Sequence, residues 1–214
     1  MIAVALMAWQ QTRHVTRVKD ERRGAAGPAS EVLADVEVLQ DGIGYPTIRG
    51  RYAGLDVKLE LVVDTLTMRQ LPRLWLIATV RRDLPLDNPV DIVLRPVSTD
   101  VVSPGGRFGW ERPRPAAWPE HMRIATPLPG PIPALDQLEV LSGLLHDERT
   151  KSVLVAPGGV RVVTELARGD VARHRVVRRA DFDVVLEPSR LRRLLDDELE
   201  LADGVDRLAA GVAS

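Results

Sequence analysis

Cysteine is absent from the 214 residues. That removes disulfides, thiol nucleophiles and thiolate metal sites, and leaves the redox compartment open. Aromatics are scarce, with two Phe, two Tyr and four Trp, too few to build a stacking platform for bases or sugars. Lysine is nearly missing, since 26 of the 29 basic residues are Arg; a GC-rich bacterial genome produces that bias without any functional cause. An excess of one charge is lacking too. The formal net charge is −1, so no bulk attraction draws the chain to nucleic acid or to an anionic bilayer. Nor does any apolar run reach the roughly 20 residues of a spanning helix.

What is present is an ordinary globular composition, 45% hydrophobic and 28% charged, enough for one good-sized domain. Its clearest stretch is Leu55 to Val80. Leu55, Val57, Leu59 and Leu61 alternate with Asp56, Lys58 and Glu60, the period of a half-buried strand. Asp64 caps a turn over Thr65 to Gln70, which Pro72 ends. Leu74 to Val80 is apolar on both faces and reads as a central strand. Thr47 to Tyr52 pairs with Leu55 to Val63 through an Ala53–Gly54 hairpin, and Val90 to Val97 is a further strand. Glu31 to Leu39 fits either a short helix or a strand. Ser98 to Pro119, rich in Gly and Pro, reads as a surface excursion with Phe108, Trp110 and Trp118 available to pin it to the sheet.

The N-terminus carries the apolar run Ile2 to Trp9, followed by Arg13, His14, Arg17, Lys19, Arg22 and Arg23. Tryptophan followed by basic residues is the pattern at the cytoplasmic end of a membrane helix. The run is too short to span, and its charges follow the apolar stretch, unlike a signal peptide. It reads either as a membrane anchor or as a frayed or docked terminus. Gly24 to Ser30, GAAGPAS, reads as a small-residue linker.

Beyond residue 119 the pattern is a short strand from His121 to Thr126, an amphipathic helix near 135–147 carried by Leu135, Leu138, Leu141, Leu144 and Leu145, and a hairpin from Ser152 to Leu166 turning at Pro157–Gly158. Short strands are expected at Arg173 to Val177 and Phe182 to Leu186. Pro188–Ser189 opens a last helix, near 189–209, with the stripe Leu191, Leu194, Leu195, Leu199, Ala202, Val205 and Leu208. In layout, the segments HMRIAT, LDQLEVLSGLL, VLVAPGGVRVVTEL and DFDVVLEPSRLRRLLDDELELADGV resemble uncharacterised bacterial proteins with an N-terminal membrane helix and a soluble α+β tail. The resemblance covers roughly 40% of the chain, from Trp118 to Val205, counted on its segment bounds. It implies the α+β tail and no assigned reaction. The chain departs from the pattern in lacking a complete spanning helix.

Candidate chemistry is sparse. Asp41 with Asp56-Val57-Lys58 has the loose spacing of a metal-dependent nuclease, two acids for a cation and a lysine to steady charge, although Asp-x-Lys is common on the wet face of a strand. His146-Asp147-Glu148 lacks a second histidine at helical spacing. Gly105-Gly106 and Gly158-Gly159 lack the Lys-Ser/Thr and helix of a phosphate loop, and no G-x-S-x-G occurs. The most concentrated charge is Arg168, Arg173, Arg175, Arg178 and Arg179 with His174. Such a cluster binds anions, or pairs with the acids of the last helix, Asp196, Asp197, Glu198, Glu200, Asp203 and Asp206.

The sequence therefore predicts an α+β fold, a mostly antiparallel sheet with two main helices packed on it after a flexible N-terminal segment. Residues 1–30 form that segment and its linker, and residues 31–210 form one domain, or two lobes at 31–100 and 119–210. The expected function is a non-enzymatic, membrane-associated bacterial binding or scaffold module at the cytoplasmic face of the membrane, or otherwise in the cytoplasm. Its expected partner is another protein, with a membrane surface contacted through residues 1–23. No cofactor, metal or catalytic residue is assigned, and anion or partner binding falls to Arg173, Arg175, Arg178 and Arg179. The alternatives are a metal-dependent hydrolase or nuclease, and an anion or nucleic-acid binder using the arginine run; scarce aromatics and near-zero net charge count against nucleic acid.

Overall fold

The computed structural model describes residues 2–64, 72–97, 102–169, 182 and 184–212. The fold is α+β, and among the described residues it comprises one nine-stranded sheet and three α-helices. In chain order the strands are β1 (Ala34–Leu39), β2 (Thr47–Tyr52), β3 (Leu55–Asp64), β4 (Arg73–Arg81), β5 (Val90–Leu94), β6 (Trp110–Arg112), β7 (Met122–Thr126), β8 (Thr150–Ala156) and β9 (Gly159–Arg168). The helices are α1 (Ile2–Gly24), α2 (Glu139–His146) and α3 (Pro188–Val212). The spatial order is β1-β2-β3-β4-β9-β8-β5-β7-β6, and every pairing is antiparallel. The late hairpin β8–β9 thus sits between β4 and β5 and joins strands from both halves of the chain in one sheet.

Alternation decides what faces the helices. Val57, Leu59 and Leu61 on β3 stand opposite Val80, Ala78 and Leu76 on β4, and Ala78 and Val80 stand opposite Val162 and Val160 on β9. These residues share one buried core with Val153, Val155, Ile92 and Ile124, and with Leu141, Leu145, Leu191, Leu195, Leu201 and Val205 of the helices. Each fully buried leucine or isoleucine contributes about 1.5–3 kcal/mol of transfer free energy. Odd-numbered positions of β4 point the other way. There Trp75 and Ile77 form a smaller buried cluster with Val163 and Val102, so β4 is covered on both faces, as its apolar run requires.

The turns follow local chemistry. Ala53 and Gly54 both have positive φ, 48° and 85°, which closes the β2–β3 hairpin in a primed turn. In the β8–β9 turn, Gly159 has φ 133°, and a Cβ there would lie 2.1 Å from the Val80 carbonyl oxygen. Only glycine lets β9 start that close to the end of β4.

Several sequence expectations change. The leucine segment is not one helix of three to four turns, since Leu138 is extended (φ −92°, ψ 110°) and separates a 3₁₀ turn, Leu135–Gln137, from the eight residues of α2. Glu31 to Leu39 resolves as strand β1 from Ala34 onward. The excursion after residue 98 contains β6, and of its three aromatics Trp118 is buried while Trp110 is exposed. Phe182 and Val184–Glu187 carry no strand; the Leu186 N–H donates to the Ala25 carbonyl instead. Gly24–Ser30 is a packed junction with a 3₁₀ turn at Gly27–Glu31 and Ala25, Ala26 and Ala29 buried. Small side chains permit close packing as readily as they permit a linker. Residues Ile2–Gly24 are helical as α1, whose far end docks through buried Val18, through Arg22 donating to the Ile43 carbonyl (2.6 Å) and stacking on Tyr45, and through Gln40 donating to the Lys19 carbonyl. The turn expected at Thr65 to Gln70 and the strand expected at Arg173 to Val177 lie outside the described residues.

α3 is tied down at three places besides its apolar stripe. Tyr52 donates to Asp196 (2.7 Å), Arg82 at the end of β4 pairs with both Asp203 and Asp206, and Arg192 donates to the Glu31 carbonyl (2.7 Å). Beneath it lies Glu198, fully buried, its oxygens facing the backbone of Val80 and Val162 without a well-formed hydrogen bond to either. Burial pushes this carboxyl well above the ordinary carboxylate range, and Asp197 adds to the shift; the Val162 and Val80 backbone and Arg161 oppose it. An acid raised in the native state holds its proton there while the unfolded chain releases it. Its contribution is therefore complete at low pH and declines as pH climbs from the ordinary carboxylate value to the raised native one. Glu198→Met, which removes the buried acid at similar volume, is expected to stabilise the protein by about 1–3 kcal/mol at pH 8. Glu198→Gln is expected to flatten the slope of the denaturant midpoint against pH. A slope identical to the wild type's would show that Glu198 is solvated.

Candidate functional site: an arginine-lined cleft at the head of α3

The described residues hold a cleft of about 380 Å³ where α2 ends, β8 begins and α3 starts, lined by Leu144, Asp147, Arg149, Thr150, Thr164, Arg190, Arg193, Leu194 and Asp197. Each side chain arrives for a local reason. The α2–β8 connection turns at Asp147, whose Oδ1 accepts from the Arg149 backbone N–H (2.8 Å), an Asx turn that sends the Arg149 side chain outward. Thr150 and Thr164 face each other across the β8–β9 ladder and are buried. Arg190, Arg193 and Asp197 lie on one side of α3, at spacings of three and four residues. Leu144 and Leu194 form the apolar wall.

Arg190 is the pivot. Half-buried, it donates through Nη2 to Thr164 Oγ1 (3.2 Å) and to the Glu165 carbonyl (2.6 Å). Burial lowers its affinity for the proton, and the neighbouring positive charge of Arg149 lowers it further, while Asp147, Glu187 and Glu165 raise it. Asp197 is shifted upward, by burial first and then by Glu200 and Asp196, with Arg193 opposing. Glu165 is engaged elsewhere, with Arg168 at 2.6 Å and Arg73 at 3.5 Å. Among the described residues, none of Arg149, Arg190 and Arg193 is in ion-pair contact with a carboxylate. Three guanidinium groups thus line one cleft with Asp147 and Asp197 at longer range than an ion pair, an arrangement that a bound anion would stabilise.

The sequence placed its anion site elsewhere. Arg173, Arg175, Arg178 and Arg179, with His174, lie outside the described residues. Arg168, the first of that run, pairs with Glu165. Among the described residues, Asp196 of α3 meets Tyr52, and Asp203 and Asp206 meet Arg82. The cleft arginines went unrecognised because they stand 41 and 44 positions apart in sequence, Arg149 against Arg190 and Arg193. Only the docking of α3 beside the α2–β8 turn brings them together.

The nuclease residues are spread along the exposed face of the sheet. Asp56 lines a hollow of about 410 Å³ with Asp35, Glu37, Arg49, Arg51 and Arg81. Asp41 lines the neighbouring hollow, and Lys58 stands between the two while pairing with Glu60 at 2.8 Å. His146 Nδ1 lies 2.8 Å from the Ser142 carbonyl, within its own helix. Among the described residues no group of three His, Asp or Glu is placed to hold a metal ion.

No family model and no curated relative matches the chain. Among solved structures it is similar to the crystal structure of the mycobacterial trehalose monomycolate transport factor A, TtfA, at 11% identity and a TM-score of 0.43, over 88% of this chain and 93% of that one.

The sheet-face residues generate a direct test. Asp56→Ala is expected to move the unfolding free energy by no more than about 0.5 kcal/mol, the usual range for exposed strand positions. Calorimetric titration of the wild type with magnesium, manganese or zinc is expected to give no saturable heat. Saturable binding that vanished in Asp56→Ala would restore the hydrolase reading.

Proposed function

We propose that this protein is a non-enzymatic binding module that receives an anionic group of a partner in the cleft at the head of α3, and that α1 holds it beside a membrane surface. The observation that carries the reading is Arg190, half-buried, fixed by Thr164 and the Glu165 carbonyl, and set beside the like charge of Arg149 without a carboxylate in ion-pair contact. A surface ion pair needs no such fixing. A guanidinium held in place ahead of its ligand loses less entropy on binding.

The membrane part rests on α1. The apolar run Ile2–Trp9 continues directly into a basic segment on the same helix, and Arg13 stacks over exposed Trp9 at 4.6 Å. No helix among the described residues is long and apolar enough to cross a membrane. A helix with Trp at its apolar end and Arg and Lys behind it suits the interface of an anionic bilayer. Among the described side chains of α1, Trp9, Arg13, Val15 and Arg17 are exposed ahead of buried Val18, and they are available for such contact.

Both parts are tested in one preparation. With ionic strength held constant, a panel of simple anions (acetate, hexanoate, phosphate) is expected to include at least one that raises the melting temperature of the wild type by several degrees at concentrations about 100 times Kd, and to leave Arg190→Gln unmoved. The chain lacking residues 2–12 is expected to keep its melting temperature and to lose sedimentation with phosphatidylserine-containing vesicles. No anion response, or an equal one in Arg190→Gln, rejects the cleft. Vesicle binding that survives the deletion rejects the role of α1.

A further inference from the structure

The composition of the cleft says more than that it is positive. Among the lining side chains, three guanidinium groups against the carboxylates of Asp147 and Asp197 leave one formal positive charge, and Glu165, Glu187, Asp196 and Glu200 add negative charge around them. A singly charged ligand neutralises that site. A doubly charged one leaves a net negative charge close to half-buried Asp197. Size points the same way. At about 380 Å³ the space far exceeds a bare oxyanion, and Leu144 and Leu194 line one side of it. Guanidinium forks match the two oxygens of a carboxylate in a planar, bidentate arrangement, and a leucine-lined wall takes an aliphatic group.

We infer that the cleft selects a carboxylate carried on an aliphatic group, one negative charge with an apolar body, in preference to phosphate. The inference rests on the anion-binding reading above and narrows it. Arg190, its Nη2 taken by Thr164 and the Glu165 carbonyl, supplies a fixed positive charge with its Nε and Nη1 donors, and leaves the bidentate fork to Arg149 and Arg193. Arg149 and Arg193, both exposed, close on the ligand from either side. Asp147 and Asp197 act as the selectivity element: they repel a second negative charge and so set which anion stays. Discrimination by repulsion of the wrong ligand is a general route to specificity. A free aliphatic acid and a glutamate side chain flanked by leucines offer the same chemistry.

The test is titration of the full chain, at constant ionic strength and neutral pH, with hexanoate, with a blocked Leu-Glu-Leu peptide and with inorganic phosphate. It is read by the amide resonances of Thr150, Thr164, Arg190 and Arg193. Hexanoate or the peptide is expected to bind at least about tenfold more tightly than phosphate, and the double variant Arg149→Lys, Arg193→Lys to lose about tenfold toward the carboxylate, because the forks become point charges. The tighter of the two carboxylates identifies the source, a free aliphatic acid or an acidic segment of a protein. Asp197→Asn, which removes one repelling charge, is expected to bring phosphate up to or above the carboxylate. Phosphate binding as tightly as the carboxylates in the wild type, or an unchanged preference in Asp197→Asn, overturns the selectivity while leaving anion binding in place. No response to any of the three overturns both.

Discussion

Everything in this molecule depends on one contact, the apolar stripe of α3 against the centre of the sheet. Leu191, Leu195, Leu201, Ala202 and Val205 are fully buried and share a core with Ala78, Val80, Val160 and Val162. Those four sheet residues belong to β4 and β9, the junction where the late hairpin joins the earlier strands. The same helix therefore covers the seam between strands distant in sequence. Neither partner has another way to keep that surface dry. Most of a helix's stability in a protein comes from packing its apolar face rather than from propensity, and an uncovered sheet face of Val, Ala and Leu would be a site of association.

The polar groups around α3 have different jobs. Arg82, Tyr52 and Arg192 reach it from β4, from the β2–β3 hairpin and back to the 3₁₀ turn at Gly27–Glu31, and so fix its rotation and its position along its axis. Exposed pairs of this kind add little free energy, commonly under about 1 kcal/mol each; what they supply is register. Glu198 works against the packing, being a buried acid without a well-formed hydrogen bond. Register matters because the first turns of α3 carry Arg190, Arg193 and Asp197. A rotation of one residue, about 100° on an α-helix, would turn those groups away from Arg149 and Asp147 and dissolve the cleft.

How much of this could be read from the sequence follows from range. The β2–β3 and β8–β9 hairpins were legible because alternation and turn residues act over a few positions, and the stripe of α3 because its period is local. The α+β class follows from those elements. Other features needed tertiary information. GAAGPAS looks the same whether its alanines are solvated or buried under a helix. Leu135 to Leu145 keeps helical spacing although Leu138 is extended, since a leucine can meet the same core from either backbone conformation; Leu138 also packs within reach of Gly204, where an added Cβ would come 2.8 Å from its Cδ2. The cleft is the extreme case. Arg149 is an ordinary loop arginine and Arg190 and Arg193 are ordinary helix arginines until the fold sets them side by side. Local charge density drew attention to residues 168–179 instead.

The central claim is that α3 is an integral part of the cooperative unit, held rigidly enough to present a preorganised cleft. Native-state hydrogen exchange along α3 tests it most directly, because exchange reports the free energy of each opening separately. The account predicts that the amides of Leu194, Leu195, Leu201 and Ala202 exchange only through global unfolding, with the same free energy and denaturant dependence as Ala78 and Val162. Exchange of α3 through a cheaper opening that leaves β4 and β9 protected would contradict it, and would make the helix a detachable arm instead of the keystone of the core.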